Sequence, residues 1–253
     1  MIQLEDVHKG FEQKEILKGI STIFETGKTN LIIGQSGSGK TVLLKCVVGL
    51  LEPDSGDIIY DERRLASMGK KERTFLRSEL GMLFQGSALF DSMTIQENVL
   101  FPLRMFSELS DIDKVKRARY CLDRVGLKDA SSLFPSEISG GMQKRAAIAR
   151  AISLNPKYLF CDEPNSGLDP LTSIKIDELI MDITQEYKMT TVINTHDMNS
   201  VVTMGDNIIF IYQGEKEWEG DKEKLFHSKN EKLNDFVFAS KFFQKSTGNI
   251  QKD

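Results

Sequence analysis

The sequence predicts an α/β fold in which a mostly parallel sheet is covered by helices. From residue 158 onward, apolar stretches typical of buried strands alternate with helical patterns, which is the βαβ rhythm of a parallel sheet. Earlier, an apolar run at residues 31–33 leads into a glycine-rich loop, and a helical pattern follows that loop. Residues 2–24 alternate apolar and polar side chains in two stretches, as half-buried antiparallel strands do.

The individual elements are predicted from the same periodicities and from turn residues. Strands are expected at residues 2–7, 16–24, 29–33, 57–60, 81–84, 158–161, 190–194 and 208–212. Helices are expected at residues 40–49, 70–80, 94–104, 111–125, 140–152, 170–187, 197–204 and 231–244, before a polar tail at 246–253. Ser110 is the expected N-cap of its helix, and Gly126 the expected stop.

These elements suggest a single domain, residues 1–253, with three parts. Residues 1–85 and 139–220 form the expected catalytic α/β core. No strand pattern interrupts residues 86–138, so this stretch is expected to be a helical insertion. Residues 221–253 are expected to form a C-terminal helical extension and tail.

Composition excludes several classes of protein. The 40% hydrophobic and 28% charged residues are ordinary for a soluble globular chain, and the net charge of -4 argues against non-specific nucleic-acid binding. The three cysteines follow no metal-binding spacing, so reduced, buried thiols in a cytosolic protein are expected. The N-terminus lacks a signal layout, and no apolar run approaches the roughly 18 residues that span a bilayer. Any membrane role is therefore expected to need a partner.

The glycine-rich loop at residues 34–41 has the G-x4-G-K-T spacing of a phosphate-binding loop. Its glycines let successive backbone N–H groups point at one anion, and the following helix adds the positive end of its dipole. Lys40 is expected to reach the outer phosphates, and the Thr41 hydroxyl to bind Mg²⁺. The residues expected to hold the nucleotide are Gly34, Ser36, Gly37, Ser38, Gly39, Lys40 and Thr41. Such a loop alone fits a GTPase, a kinase or an ATPase.

An acidic pair follows the buried strand at residues 158–161. Asp162 is expected to hold Mg²⁺, directly or through water, and Glu163 to accept a proton from the water that attacks the γ-phosphate. The alternative is a pair of solvated acids at a strand end. The phosphate loop upstream favours the functional interpretation.

A second anion nest is predicted at Ser139-Gly140-Gly141, directly before a helix. Taken alone, these residues fit an ordinary flexible helix start. Two nests serving one nucleotide within one chain would be redundant. The simpler arrangement is a dimer in which the phosphate loop of one chain faces the second nest of the other across ATP.

Together these motifs make the chain resemble the ATP-binding subunit of ABC transporters over almost its whole length. The resemblance rests on six motifs in the family's order: the phosphate loop 34–41, Gln85, the signature 138–142, the acidic strand 158–163, residues 166–169 and His196 within 195–197. It implies a P-loop NTPase (RecA-like) fold with an N-terminal antiparallel β subdomain and an α-helical subdomain. ATP and Mg²⁺ are the implied ligands.

The resemblance also implies roles for single residues. Phe11 would stack on adenine, although a core residue at a strand end is the alternative. Gln85 would contact Mg²⁺ and the attacking water, and would link that site to the helical insertion. His196 would hydrogen-bond the γ-phosphate, and Asp169 would lie across the dimer interface.

The signature departs from the family's usual pattern. Met142 stands where the family has glutamine, and Ile138 where it has leucine. A thioether cannot reproduce an amide's hydrogen bonds, but the backbone nest and Ser139 remain, so contact with ATP should survive. With residues 88–94 and 97–104, this signature resembles the ATPase of the Mla-type (MCE-associated) bacterial phospholipid transporters.

That subfamily implies a phospholipid cargo and particular partners. These are a second copy of the chain, an integral membrane permease and an MCE-domain lipid-binding protein, without nucleic acid, at the cytoplasmic face of the inner membrane. Other ABC importers or exporters are alternatives, and so is a non-transport ABC ATPase with a soluble partner. A module that no longer hydrolyses ATP is opposed by the intact Lys40, Asp162, Glu163 and His196.

Two apolar groups are expected either to pack internally or to bind partners. The first would form core or a groove for a permease helix and comprises Leu89, Phe90, Met93, Val99, Phe101 and Phe106. The second would fold on the domain or clasp the other subunit and comprises Phe236, Phe238, Phe242 and Phe243.

Overall fold

The computed structural model describes residues 1–238, and its strands form two sheets. The strands are β1 Ile2–Phe11, β2 Lys14–Phe24, β3 Thr29–Ile33, β4 Ser55–Tyr60, β5 Arg63–Arg64, β6 Leu80–Leu83, β7 Tyr158–Asp162, β8 Thr190–Asn194, β9 Asn207–Tyr212 and β10 Glu215–Gly220. One sheet has four strands in the order β2-β1-β4-β5, and the other has six in the order β10-β9-β3-β8-β7-β6. The predicted α/β fold and the antiparallel N-terminal sheet are confirmed.

The helices follow the predicted order. They are α1 Lys40–Val47, α2 Lys70–Ser78, α3 Ile95–Phe106, α4 Asp111–Arg124, α5 Gly140–Ala151, α6 Pro170–Tyr187, α7 Met198–Met204, α8 Lys222–Phe226 and α9 Glu231–Phe238. Ser110 caps α4 by accepting a hydrogen bond from the Asp113 backbone, as predicted. The short α8 was not predicted. The expected remainder of the last helix, with Phe242 and Phe243, and the tail at 246–253 lie outside the described residues.

The parallel strands bring the predicted site residues to one edge of the larger sheet. β3, β7 and β8 are adjacent and parallel, and each is followed directly by candidate site residues. Carboxyl ends of parallel strands meet at the same edge, so the phosphate loop, the acidic pair and His196 converge there. In β3, Leu31 and Ile33 face one hydrophobic core and Ile32 faces the other, so the sheet is covered on both sides.

Burial decides several of the open alternatives. Phe236 and Phe238 pack against the core, and the ring centroids of Phe236 and Phe210 lie 5.4 Å apart. Of the two alternatives for these side chains, packing on their own domain is therefore the one observed. Cys46, Cys121 and Cys161 are free and buried, as expected, and burial raises the pKa of Cys46 and Cys121 to about 11. Within residues 1–238, no helix combines the length and the apolar character that crossing a bilayer requires.

The predicted permease groove is partly open. Val99 belongs to the core, and Leu89, Met93 and Phe101 are half-buried. Phe90 and Phe106 are 41% and 39% exposed. The six residues therefore divide between core and surface, with Phe90 exposed in the loop that follows Gln85 and Phe106 exposed at the end of α3.

Asn98 fixes the shape of that loop. Its side-chain oxygen accepts a 2.7 Å hydrogen bond from the Phe90 backbone, and its amide donates to the carbonyls of Phe90, Met93 and Thr94. We expect Asn98→Leu to lower the free energy of unfolding by about 2–4 kcal/mol, because several backbone groups lose partners at once. Urea denaturation monitored by circular dichroism measures this. Unchanged stability would contradict the role assigned to Asn98.

Candidate nucleotide-binding site

The phosphate loop connects β3 to α1 in the predicted strand–loop–helix order. Gly34 has φ +149°, and a β-carbon there would lie 2.2 Å from the Ile211 carbonyl oxygen, so only glycine fits. Gly39, at φ +108°, starts α1 without a side-chain cap. The free N–H groups at this helix start are therefore available to an anion.

Lys40 is buried inside its own loop. Its Nζ donates to the carbonyl oxygens of Gly34 and Gln35 at 2.8 and 3.0 Å. Burial lowers the pKa of Lys40, while the carboxylates of Glu163 and Asp162 oppose that shift. Ser38 Oγ is buried and has no hydrogen-bond partner within the described part of the chain. An incoming phosphate could bind both groups, because Lys40 would exchange carbonyl partners for charged oxygens.

Asn194 bridges the two predicted metal-binding side chains. Its Nδ2 donates to Asp162 Oδ1 at 2.6 Å and to Thr41 Oγ1 at 3.2 Å. Asn194 Oδ1 is buried and lacks a partner among residues 1–238. Sequence reasoning missed this residue, and the only signal was a polar side chain at the end of an apolar strand. Three oxygen-bearing side chains therefore meet beside the phosphate loop.

Glu163 and His196 are in direct contact. His196 Nδ1 lies 2.8 Å from both carboxylate oxygens of Glu163. Glu163 has φ +48°, and its backbone N–H donates to the Asn194 carbonyl at 2.9 Å. This left-handed backbone turns the chain away from the strand direction directly after Asp162. A candidate general base, Glu163, and a second polar side chain, His196, are thus in contact at the edge of the sheet.

Gln85 lies at the loop after β6 but does not reach the metal-binding side chains. Its Nε2 donates to Ser166 Oγ at 3.3 Å, and within the described residues it makes no hydrogen bond to Thr41 or Asp162. Its backbone carbonyl accepts a hydrogen bond from the buried Lys144 of α5. Arg150, also on α5, donates to the carbonyls of Ser87 and Ala88 at 2.7 and 2.6 Å. Helix α5, which starts at the second nest, is therefore hydrogen-bonded to the backbone of the loop that begins at Gln85.

The second nest opens into a separate groove of about 520 Å³. Ser139 caps α5 by accepting a hydrogen bond from the Met142 backbone at 3.3 Å, and Gly140 and Gly141 form the first turn. Asp169 lies in the same groove and caps α6 through the backbone N–H groups of Leu171 and Thr172. Of the described residues, those lining this groove lie between 124 and 179 and include none from 34–41. The two nests therefore face different spaces.

Phe11 is the last residue of β1, which continues beyond the strand predicted at residues 2–7. Its ring is 46% exposed, with Lys9 Nζ 5.5 Å from the ring centroid. The alternative of a core residue is therefore wrong. The exposed face leaves room for a stacking partner.

Comparison with known proteins gives consistent matches. The family model described as ABC transporter matches residues 17–166. The probable ribonucleotide transport ATP-binding protein mkl of Mycobacterium tuberculosis is 37% identical over 241 residues, and the alignment covers 93% of this chain. The chain spans 66% of the length of that relative.

Two further relatives and a solved structure match over most of the chain. The methionine import ATP-binding protein MetN of Clostridioides difficile is 36% identical, covering 89% of this chain and 70% of MetN. The chloroplastic protein trigalactosyldiacylglycerol 3 of Arabidopsis thaliana is 35% identical, covering 95% and 74%. A dimeric ATP-binding cassette in a post-hydrolysis state with ADP and Pi superposes with a TM-score of 0.80 at 32% identity, covering 88% and 99%.

Proposed function

The chain belongs to the ABC transporter family of ATP-binding proteins, and from that premise we propose that two copies bind and hydrolyse ATP between them to drive transport through a separate membrane permease. One observation carries the proposal. The phosphate loop and the Ser139 nest each form a glycine-containing helix N-terminus that could bind an anion, yet they face different spaces in one chain. A head-to-tail pair of chains would place each loop opposite the other chain's nest.

Within each composite site, the proposed roles follow from position. Lys40, Ser38 and the glycines of residues 34–39 bind the phosphates, and Phe11 stacks on the base. Ser139, Gly140 and Gly141 of the second copy bind the γ-phosphate from the other side, and Asp169 lies at the junction. Glu163 accepts the proton of the attacking water, and His196 orients Glu163 and contacts the γ-phosphate.

The residues beside the phosphate loop fit Mg²⁺. The Thr41 hydroxyl and the Asp162 carboxylate are hard oxygen donors, which Mg²⁺ prefers, and Asn194 Nδ2 orients both of them. When bound, the ion supplies charge neutralisation at the β- and γ-phosphates. Gln85 would join this set only by releasing Ser166, so we propose that it does so when the nucleotide enters.

We expect Asn194→Val to weaken Mg²⁺-dependent ATP binding without removing a direct phosphate contact. Losing a side chain that orients two ligands typically costs about 10- to 100-fold in metal affinity. The Mg²⁺ concentration that half-saturates ATP binding, measured by titration calorimetry, should rise by that factor. ATP affinity in EDTA serves as the control and should stay within about twofold. An unchanged Mg²⁺ requirement would remove Asn194 from the site.

For the cargo, we propose a phospholipid, moved by a permease together with an MCE-domain lipid-binding protein at the cytoplasmic face of the inner membrane. The signature at residues 138–142 and the segments 88–94 and 97–104 support this. The chloroplastic relative carries a glycolipid in its name, whereas others are named for ribonucleotides and methionine. Another ABC importer or exporter is therefore the second candidate. A non-transport ABC ATPase with a soluble partner is a third.

Co-purification tests the transport proposal. The chain, tagged and expressed at its native level, should be recovered from detergent-solubilised membranes with a multi-pass permease, and lipid analysis should find phospholipid in the complex. Recovery of the permease without lipid enrichment would favour another cargo. A chain that is recovered alone would contradict transport altogether.

A further inference from the structure

Asp177 is a buried carboxyl group on α6 that no described lysine or arginine neutralises. It is 3% exposed and accepts a 2.7 Å hydrogen bond from Asn165 Nδ2. Ser200, which is 1% exposed, hydrogen-bonds Asp177 and lies 2.9 Å from the same Asn165 nitrogen. These three side chains meet beneath a groove of about 550 Å³ between α6 and α7. Burying a carboxylate without a cation is unfavourable, so its presence calls for a functional reason.

The two partners of Asp177 belong to the two segments that carry Glu163 and His196. Asn165 follows Glu163 by two positions, and the next residue, Ser166, binds Gln85. Ser200 lies in the first turn of α7, which begins directly after Asp197, the neighbour of His196. Asp177 thus links the segment that carries Glu163 to the segment that carries His196. The side chains of Glu163 and His196 themselves are in contact at 2.8 Å.

We propose that Asp177 is a positioning residue for ATP hydrolysis, which through Asn165 and Ser200 keeps Glu163 and His196 aligned. This inference rests on the proposed function. The carboxylate is suited to the task because its oxygens can accept from both partners at once. Asn165 Oδ1 has no partner among the described residues, so the orientation of the Asn165 amide depends on the hydrogen bonds that its Nδ2 donates to Asp177 and Ser200.

The charge of Asp177 is unfavourable for stability at neutral pH. Burial raises the pKa of Asp177 to about 6, against the hydrogen bonds from Ser200 and Asn165, and the nearby Asp197 and Glu178 raise it further. The unfolded carboxyl titrates near pH 3.9. The penalty therefore sets in as pH rises above about 3.9 and is complete above about pH 6. Removing the charge should raise the melting temperature at pH 8 and change it little at pH 4.

Asp177→Asn separates positioning from structural support, because the two roles move stability in opposite directions. We expect kcat for ATP to fall by about 10- to 100-fold, as misplaced catalytic groups do, while KM stays within about twofold and the melting temperature at pH 8 rises. The decline of wild-type kcat below about pH 6 that comes from protonating Asp177 should disappear in the variant. Glu178→Gln, an exposed neighbour on the same helix, is the matched control. It should leave kcat at pH 8 unchanged and move the decline of kcat only slightly toward lower pH, because the charge of Glu178 contributes to the raised pKa of Asp177.

A second variant tests the same contact without changing residue 177, so that the asparagine introduced there cannot cause the effect. Ser200→Ala keeps the charge of Asp177 and removes one partner, so it should also lower kcat without changing KM. Wild-type kcat and pH dependence in Asp177→Asn would overturn the proposal. So would a fall in kcat that a lower melting temperature at pH 8 accompanies, because this indicates a structural role. If the wild-type chain itself hydrolyses no ATP under any condition, the proposed function fails rather than the role of Asp177.

Discussion

Glu163→Gln should bind ATP normally and hydrolyse it about 10²- to 10⁴-fold more slowly than the wild type. Glutamine keeps the volume and one acceptor of Glu163 but cannot take a proton from water. The carboxylate is placed for that role, being held by His196 at 2.8 Å and by a left-handed backbone directly after Asp162. Initial rates of phosphate release, with ATP affinity measured in parallel, give both quantities.

The same variant should accumulate an ATP-bound pair of chains, because intact ATP would continue to join the two copies. Size-exclusion chromatography with ATP and Mg²⁺ would show the dimer. Glu178→Gln, which removes an exposed carboxylate elsewhere, controls for the change in net charge. Full turnover in Glu163→Gln would exclude Glu163 as the base, and lost ATP binding would assign it a structural role instead.

Lys40→Ala should weaken ATP binding by about 10- to 100-fold, since a hydrogen bond to a charged group contributes about 1.5–3 kcal/mol. In the structure the ammonium is folded onto the carbonyls of Gly34 and Gln35 at 2.8 and 3.0 Å, so phosphate competes with partners already in place. The measured loss should therefore lie at the lower part of this range. Fluorescent-nucleotide titration provides the measurement.

Lys45→Ala is the matched control for Lys40→Ala. Lys45 lies on the same helix and is exposed, so its removal changes the charge equally without touching the loop. Equal affinities of the Lys40 and Lys45 variants would contradict the assignment of the phosphate site to residues 34–41.

Local patterns were enough to predict the fold and the strand ends after which the phosphate loop, the acidic pair and His196 lie. An apolar strand followed by the G-x4-G-K-T spacing is typical of a strand that leads into a phosphate-binding loop. The apolar residues before Asp162 and Glu163 likewise indicate a buried strand that ends at this acidic pair. Parallel pairing then requires both strand ends to meet. Ser110 could be predicted as a cap because capping is a contact within three residues.

The contacts that complete the site could not be predicted in this way. Asn194 bonds Thr41 across 153 positions, and Asn165 reaches Ser200 across 35, so their partners depend on tertiary packing. The link between Gln85 and Ser166 is of the same kind. Phe11 lies in β1 although the predicted strand ends at residue 7, because pairing with β2, and not the alternation of apolar residues, decides where β1 ends. Sequence periodicity reports burial, whereas these residues are placed by their hydrogen-bond partners.

Cross-linking between two differently marked chains tests the composite site most directly. One chain would carry Gln35→Cys at the phosphate loop and the other Ser136→Cys beside the second nest, both exposed positions, in a Glu163→Gln background. With ATP and Mg²⁺, a short bis-maleimide should join the two kinds of chain, and adding Lys40→Ala to the first should prevent it. If no mixed product forms with ATP, or if the same product forms without nucleotide, the proposal is contradicted that ATP joins the phosphate loop of one chain to the second nest of the other.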